Sequence, residues 1–115
     1  MDSYAQFRCE ACRAGAPPVS ATELDAFLRE RSGWTVAAEE GVRRLSRAFA
    51  FPDFASALAF AVRVGKLAEA ESHHPAIGVE WGKATVEWWT HKIRDIHRND
   101  LIMAAKTDAL FDAPA

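Results

Sequence analysis

The hydrophobic periodicity of this chain changes abruptly at residues 73–75, which are His-His-Pro. Apolar residues recur at helical spacing over residues 54–72, whereas those after residue 75 alternate along the chain as in a β-strand. Proline cannot continue a helix, and it favours an extended backbone for the residue before it. The sequence therefore predicts a long helix that ends at a histidine pair and leads directly into a strand.

A helix and a hairpin are predicted before the long helix. The stretch from Ser20 to Glu23 has the pattern of a capping box, and apolar residues at helical spacing follow it. Gly33 stands where a glycine would close this first helix after about three turns. Alternating apolar residues over 34–51, interrupted by a turn at 39–41, then predict two antiparallel strands.

A second hairpin and a closing helix are predicted after the histidine pair. The strands cover about residues 77–81 and 84–91, with Gly82 and Lys83 as the turn, and the last helix covers about residues 97–111. Strands joined by short turns pair antiparallel. The predicted fold is therefore α+β, with a single four-stranded antiparallel sheet, helices packed on one face, and the order α-β-β-α-β-β-α.

The long helix carries apolar residues on two adjacent faces, which predicts that it lies across the sheet. These positions are Phe54, Leu58, Ala61, Val62 and Gly65 on one face and Phe60, Val64 and Leu67 on the other. The tryptophans at 34, 81 and 88 are interpreted as core residues. The other face of the sheet is expected to stay open, which favours either a ligand site or self-association there, and we expect a homodimer or homotetramer.

Composition limits the classes of protein to which the chain can belong. Its 115 residues, half of them hydrophobic and 26% charged, suffice for one domain with a buried core. We divide it into an N-terminal arm, residues 1–19, and a domain, residues 20–115. The net charge of −2 disfavours a nucleic-acid partner, and no signal peptide or membrane span is predicted, so we expect a cytoplasmic protein.

The arm contains the only two cysteines, Cys9 and Cys12, in a C-x-x-C spacing. In a reducing compartment this spacing is compatible with half a zinc site or a redox pair. A zinc ribbon needs a second pair, however, and a thioredoxin-like site needs a strand before the motif. An arm without chemistry of its own therefore stays the simplest interpretation.

Three of the four histidines are predicted to meet at one end of the sheet. His91 is placed on the last strand, on the face that Trp89 shares. Because the hairpin is short, the end of this strand returns close to its partner's start, where His73 and His74 leave the helix. An unperturbed imidazole has a pKa of about 6.5, so such a cluster suits proton transfer or metal binding.

The residues around this cluster resemble the signature of pterin-4a-carbinolamine dehydratases. The matching positions are the Glu-x-x-x-His-His-Pro run from Glu69 to Pro75, then Trp81, His91 and Asp100. The resemblance extends to Gly33-Trp34, the Phe51-Pro-Asp-Phe54 helix entry and the Gly82-Lys83 turn. The chain departs from the family pattern at Ser72 and Trp89, which bears on the width and selectivity of the pocket.

This resemblance implies a hydro-lyase that dehydrates 4a-hydroxytetrahydrobiopterin to quinonoid dihydropterin. The reaction recycles the pterin cofactor of aromatic amino acid hydroxylases, so functional coupling to such a hydroxylase is implied, and no metal or redox cofactor is required. The implied catalytic residues are His73, His74 and His91. The implied substrate-binding residues are Ser72, His73, His74, Trp89, Thr90, His91 and Lys92.

Two carboxylates, Glu69 and Asp100, are expected to support the site, and two alternative functions stay open. Glu69 lies one helical turn before His73 and is expected to orient that imidazole, and Asp100 is expected near the third position of the last helix. One alternative is a zinc protein that uses Cys9, Cys12 and histidines. The other is a dimerisation module for a transcription factor, as the resemblance also allows.

Overall fold

The computed structural model describes residues 4–6 and 16–113, and it follows the predicted order of elements after residue 20. A short 3-10 turn covers Tyr4–Gln6. The helices and strands are α1 (Ala21–Glu30), β1 (Thr35–Glu39), β2 (Val42–Ala50), α2 (Phe54–Glu71), β3 (Ala76–Glu80), β4 (Lys83–Trp88) and α3 (Arg98–Asp112).

The four strands form one antiparallel sheet in the order β1-β2-β4-β3. Leu45 lies opposite Trp88 and Phe49 opposite Ala84, and all four are buried on the face that the helices cover. The alternating residues of β2 and β4 point to the other face, on which none of the helices of the described residues packs. The predicted α+β fold class is therefore confirmed.

Aromatic and large aliphatic side chains fill the space between the sheet and the helices. Trp34 and Trp88 are 2% and 0% exposed, as predicted, and Phe27 and Phe49 are each 1% exposed. Burying a large apolar side chain contributes roughly 1.5–3 kcal/mol. The indole nitrogen of Trp88 donates to the Thr107 hydroxyl at 3.1 Å, which satisfies the polar atom that comes with this burial.

The surface of α2 differs from the prediction on one side. Its buried residues are Ala57, Phe60, Ala61, Val64 and Ala68. Three of the predicted core positions are instead solvent-exposed, namely Phe54 at 43%, Leu58 at 45% and Val62 at 49%. These three residues follow each other at i, i+4 spacing, and we call them the α2 ridge. The apolar surface of this helix is wider than the face that the sheet can cover.

Both hairpins close with a two-residue turn, and the second turn contains Trp81. Glu40 and Gly41 connect β1 and β2, both with positive φ (52° and 78°), a two-residue turn that suits the twist of antiparallel strands. Between β3 and β4 the turn is Trp81-Gly82, one residue earlier than predicted, with Gly82 at φ 77°. Trp81 is therefore 74% exposed, and its interpretation as a core residue was wrong.

Gly33 has a different role from the one predicted. Helix α1 ends at Glu30, with Arg31 as the C-cap whose backbone N–H donates to the Phe27 carbonyl. Gly33 lies two residues further on, where a Cβ atom would come within 2.8 Å of the Arg47 side chain. The absence of a side chain at this position therefore allows close packing by Arg47.

A buried carboxylate joins the last helix to the first half of the chain. Asp108 accepts hydrogen bonds from the Trp34 indole at 2.9 Å, from Arg31 at 2.7 Å and from Arg47 at 2.6 Å. Charge-assisted hydrogen bonds are roughly twice as strong as neutral ones. Asp108 therefore fixes α3 against α1 and β2, away from the histidines.

Over the described residues, none of the helices has the length and hydropathy needed to cross a membrane.

Candidate functional site

The helix that carries the histidine pair ends in a left-handed residue. Ser72 caps α2 with φ 53° and ψ 39°, and its backbone N–H donates to the carbonyls of Ala68 and Glu69. The N–H of His73 also donates to the Ala68 carbonyl, at 3.1 Å. This reversal of the backbone directs the next two residues away from the helix axis.

His73 turns inward. It is 6% exposed, and its ring lies parallel to the ring of Trp88, with centroids 5.8 Å apart and planes at 8°. Its Nε2 lies 2.6 Å from Oδ1 of Asp100, which is itself fully buried. A carboxylate oxygen accepts, so Nε2 carries the hydrogen and Nδ1 is the ring nitrogen left for other contacts.

Asp100 organises the start of α3 as well as His73. It is the third residue of the helix, as predicted, and its Oδ2 accepts the backbone N–H of His97 at 2.8 Å. The same oxygen accepts the Thr90 hydroxyl at 2.8 Å. His97 is the N-cap and its Nδ1 accepts the backbone N–H of Asn99 at 3.0 Å. Asp100 therefore ties the helix start, Thr90 and His73 together with three hydrogen bonds.

His74 turns outward and pairs with a different carboxylate. Its Nε2 lies 2.6 Å from Oε1 of Glu69, and the two side chains are 58% and 79% exposed. The expectation that Glu69 would orient His73 was therefore wrong. Because Ser72 reverses the backbone, the second histidine of the pair faces the last turn of α2, whereas the first faces α3.

His91 lies in a turn rather than on the last strand. Strand β4 ends at Trp88, and the following residues form a closed loop in which Thr90 N–H donates to the Asp95 carbonyl at 2.9 Å. The prediction that the strand reaches His91 was therefore wrong. The loop nevertheless brings His91 back to the histidine pair, because its Nε2 lies 3.1 Å from the backbone carbonyl of His74.

The loop of His91 is anchored by an ion pair that the sequence analysis missed. Asp95 Oδ1 accepts Nε of Arg43 at 2.8 Å and the backbone N–H of Ile96 at 2.8 Å. Burial alone would raise the pKa of Asp95, but these hydrogen bonds and the charge of Arg43 outweigh it and hold the pKa below its ordinary value of 3.8. Arg43 is 52 residues away in the chain, so no local pattern could have indicated the pair.

The remaining predicted site residues lie on the same loop. The ring of Trp89 stacks on His91, with centroids 4.4 Å apart and planes at 22°, and the guanidinium of Arg44 lies 3.9 Å from the Trp89 ring centroid. Lys92 is exposed beside His91. Thr90 is buried and faces Asp100. The structure thus brings His91 to His74, whereas the ring of His73 lies on the inner side.

The hydrogen-bond partners leave one defined nitrogen on each imidazole. A backbone carbonyl can only accept, so His91 must donate from Nε2, and a neutral ring then has an unprotonated Nδ1. The carboxylates of Glu69 and Asp100 likewise select Nε2 as the donor on His74 and His73. On each of the three rings Nδ1 is therefore the nitrogen that these hydrogen bonds do not use.

Two further features bear on alternative sites. In residues 4–6 and 16–113, no three His, Cys, Asp or Glu side chains are grouped so that they could hold a metal ion; Cys9 and Cys12 lie outside this part of the chain. A groove of about 540 Å³ lies between the start of α2 and the end of α3, with Phe51, Phe60 and Phe111 in its wall. None of the histidines lines that groove, so the loop region, where His91 meets the backbone of His74, is the candidate site.

Known proteins match this chain over almost its whole length. The family model described as pterin 4 alpha carbinolamine dehydratase matches residues 17–110. A protein of Syntrophotalea carbinolica is 54% identical over 112 residues, which cover 97% of this chain and all of the relative. One of Chlorobium limicola is 50% identical over 112 residues and covers 97% of this chain and 99% of the relative. Both are provisionally named pterin-4-alpha-carbinolamine dehydratases.

A solved structure shares the fold. The crystal structure of a transcriptional coactivator/pterin dehydratase from Brucella melitensis superimposes with a TM-score of 0.71 at 28% sequence identity. The match covers 82% of this chain and 98% of that protein.

Proposed function

The chain belongs to the pterin 4 alpha carbinolamine dehydratase family, and we propose that it dehydrates 4a-hydroxytetrahydrobiopterin to quinonoid dihydropterin by histidine acid–base catalysis. The observation that carries this proposal is the hydrogen bond from His91 Nε2 to the His74 carbonyl, because it brings the His91 imidazole to the backbone of the histidine pair from a distant part of the chain. The family name supplies the substrate class, and the imidazoles supply the chemistry.

The reaction moves two protons and breaks one carbon–oxygen bond. The bond from C4a to the hydroxyl oxygen breaks while an acid delivers a proton to that oxygen, and water leaves. A base removes the proton from N5, and the electron pair of the N–H bond forms the double bond between N5 and C4a. The acid loses one proton and the base gains one, so the cycle closes when the acid regains a proton and the base releases one. Each group contributes about 10²–10⁴-fold in rate.

We assign the acid to His74 and the base to His91. Glu69 gives His74 the negative neighbour that a protonated imidazole needs, and it leaves Nδ1 free to deliver the proton. His91 donates Nε2–H to a neutral carbonyl, so its Nδ1 is available as an acceptor. His73, held by Asp100 on the buried side, assists by fixing the floor of the site.

The substrate-binding residues of the proposal are those of the loop and the helix exit. The set comprises Ser72, His73, His74, Thr90, His91 and Lys92 around the pterin, with Trp89 stacked on His91. Glu69 and Asp100 support it through the imidazoles that they hold. In this proposal the pterin is the substrate and no metal or redox cofactor takes part, and turnover is coupled to a hydroxylase that produces the 4a-hydroxy adduct.

The test is stopped-flow dehydration of enzymatically generated 4a-hydroxytetrahydrobiopterin. We expect His74→Ala and His91→Ala each to lower kcat by at least about 10²-fold with an unchanged circular dichroism spectrum. The matched control is His97→Asn, which removes the fourth imidazole but keeps an N-cap side chain. Near-normal turnover in both alanine variants would refute the assignment, as would loss of turnover in the control alone.

We also propose that the protein forms a homodimer or homotetramer. The α2 ridge exposes three large apolar side chains in one line, and the open sheet face and the edge strand β3 offer further contact surface. Light scattering at micromolar concentration should give at least twice the monomer mass. Leu58→Glu places a charge in the middle of the ridge and should shift the mass towards monomer if the ridge is the interface. Monomer alone in the unaltered protein would refute the proposal.

The name of the Brucella melitensis protein adds a second candidate function. That protein is called a transcriptional coactivator as well as a pterin dehydratase, so binding to a transcription factor is the alternative for this chain. Specific partners recovered by the His74→Ala/His91→Ala double variant, together with no pterin turnover by the unaltered protein, would favour this alternative over the dehydratase.

A further inference from the structure

The loop of His91 is packed against an aromatic and cationic stack that starts on the open face of the sheet. Arg44 is on β2, and the antiparallel register pairs Leu45 with Trp88, so Arg44 lies opposite Trp89, the residue that follows β4. Its Cζ atom is 3.9 Å from the Trp89 ring centroid, well within the range of a cation–π contact. Trp89 in turn stacks on His91 at 4.4 Å.

Arg44 is itself fixed by acidic partners. Its Nη1 lies 3.2 Å from Oε1 of Glu87 and 3.3 Å from Oε2 of Glu39, and its side chain is only 18% exposed. Its Nε is buried and makes no hydrogen bond with any described residue. The guanidinium is therefore held at Nη1 by Glu87 and Glu39, and it also lies over the indole ring of Trp89.

We propose that Trp89, held by Arg44, is a positioning residue that fixes the ring plane of His91. This role deepens the dehydratase proposal and rests on it for its catalytic meaning. A ring on an exposed loop can rotate about two torsions, and the stack on Trp89 restricts both. The restriction keeps Nε2 directed at the His74 carbonyl and therefore keeps Nδ1 in the direction of the substrate.

This role differs from that of a platform for the pterin ring. A platform offers a free aromatic face to the substrate, whereas Trp89 already stacks on His91 and carries the Arg44 guanidinium. Loss of a platform weakens binding and raises KM. Loss of a positioning residue leaves binding intact and lowers kcat, because a displacement of about 1 Å at a reacting group costs up to about 10²-fold.

The kinetic test compares Trp89→Leu, Trp89→Phe and Trp81→Leu. We expect Trp89→Leu to lower kcat by about 10- to 100-fold with KM changed less than about twofold. Trp89→Phe keeps a ring in the stack and should restore most of kcat. Trp81→Leu removes the exposed tryptophan of the β3–β4 turn and should behave like the unaltered protein. A raised KM with unchanged kcat in Trp89→Leu would identify a platform and overturn the proposal.

A second test does not depend on turnover. Ring protons that lie over an indole are shielded, so in a ¹H–¹³C spectrum the His91 ring resonances should move downfield in Trp89→Leu and stay close to their original positions in Trp89→Phe. Long-range ¹H–¹⁵N spectra should show the Nε2–H tautomer in the unaltered protein and a tautomer mixture in Trp89→Leu. Arg44→Met should reproduce these changes, and Glu39→Gln, which removes the more exposed partner of Arg44, should not.

The two tests separate the two proposals. An unaltered protein that gives the expected spectra but no dehydration would refute the proposed function and leave the stack intact. His91 resonances and tautomer that do not respond to Trp89→Leu would overturn the positioning role even in an active enzyme.

Discussion

His73 and Asp100 form a buried pair in which Nε2 and Oδ1 are 2.6 Å apart across 27 residues of sequence. The pair connects the end of α2 to the first turn of α3, and the same carboxylate accepts the Thr90 hydroxyl. One buried side chain therefore fixes the helix exit, the last helix and the loop that carries His91. A change at Asp100 should affect stability and turnover together.

We predict that Asp100→Asn lowers the free energy of unfolding by about 3 kcal/mol and also lowers kcat. The amide has nearly the same shape, but its NH₂ group faces donors that the carboxylate oxygens accepted, and unsatisfied buried groups cost about 1–3 kcal/mol each. Urea denaturation and the stopped-flow assay measure the two effects. Unchanged stability would contradict the role of Asp100 as the shared acceptor.

Asp108→Asn is the matched control on the same helix. Asp108 is also buried and accepts three donors, but these come from Trp34, Arg31 and Arg47, which are not site residues. We expect a similar loss of about 3 kcal/mol of stability with kcat unchanged at temperatures where the variant is folded. A loss of turnover as large as that in Asp100→Asn would show that lost stability alone explains the lower kcat of both variants.

We predict that Ser72→Gly stabilises the protein and Ser72→Val destabilises it. Ser72 has φ 53°, a left-handed conformation that costs a residue with a side chain roughly 1–2 kcal/mol and a β-branched residue more. Glycine adopts it freely, although its unfolded state has more entropy, so the expected gain is about 0.5–1 kcal/mol. Guanidinium denaturation checks the sign. Equal effects of both variants would mean that the left-handed cap is not strained.

We predict a specific pH dependence for the Asp95–Arg43 ion pair. The pKa of Asp95 is held below 3.8 in the folded protein, so the pair contributes stability that is fully present above the pKa of the unfolded chain. That contribution is lost as the pH falls through the lower folded pKa. The difference in unfolding free energy between the unaltered protein and Asp95→Asn should therefore be constant well above pH 3.8 and shrink as the pH falls below that value. A difference that grows on acidification would contradict the assignment.

We predict that Glu69→Gln separates catalysis from stability. Glu69 and His74 are both mostly exposed, and surface ion pairs contribute about 0–1 kcal/mol, so the melting temperature should hardly change. The neutral amide no longer supplies a counter-charge to protonated His74, so kcat should fall, although by less than the roughly 10²–10⁴-fold of a complete general acid. The rate at saturating substrate is the readout. An unchanged kcat would remove Glu69 from the site.

The elements of the fold could be predicted from sequence because each depends on residues close together in the chain. The Ser20 hydroxyl accepts the Glu23 backbone N–H at 3.1 Å, as its capping pattern predicts. Pro75 follows the helix end, and β3 begins at the next residue. The errors at Gly33, at the Trp81-Gly82 turn and at the end of β4 are shifts of a few residues, since periodicity does not define where a regular element ends.

Burial on α2 was predicted less well. The helical pattern correctly identified Phe60 and Val64 as core residues, but it gave Leu58 and Val62 the same status. Hydrophobicity shows that a residue can be buried, whereas the width of the neighbouring sheet determines which side chains are covered. That width is set by four strands from two distant hairpins and cannot be inferred from one helix.

The sequence alone determined that two imidazoles leave a helix together and that a third returns to them, because helix exit and hairpin closure are local properties of the backbone. Only the tertiary structure decided that Asp100 holds His73, that Glu69 holds His74 and that Arg44 and Asp95 support the loop of His91. The physical reason is that the left-handed backbone of Ser72 directs His73 and His74 to opposite sides of the helix end. The residues that then contact the site come largely from elements that are distant in sequence.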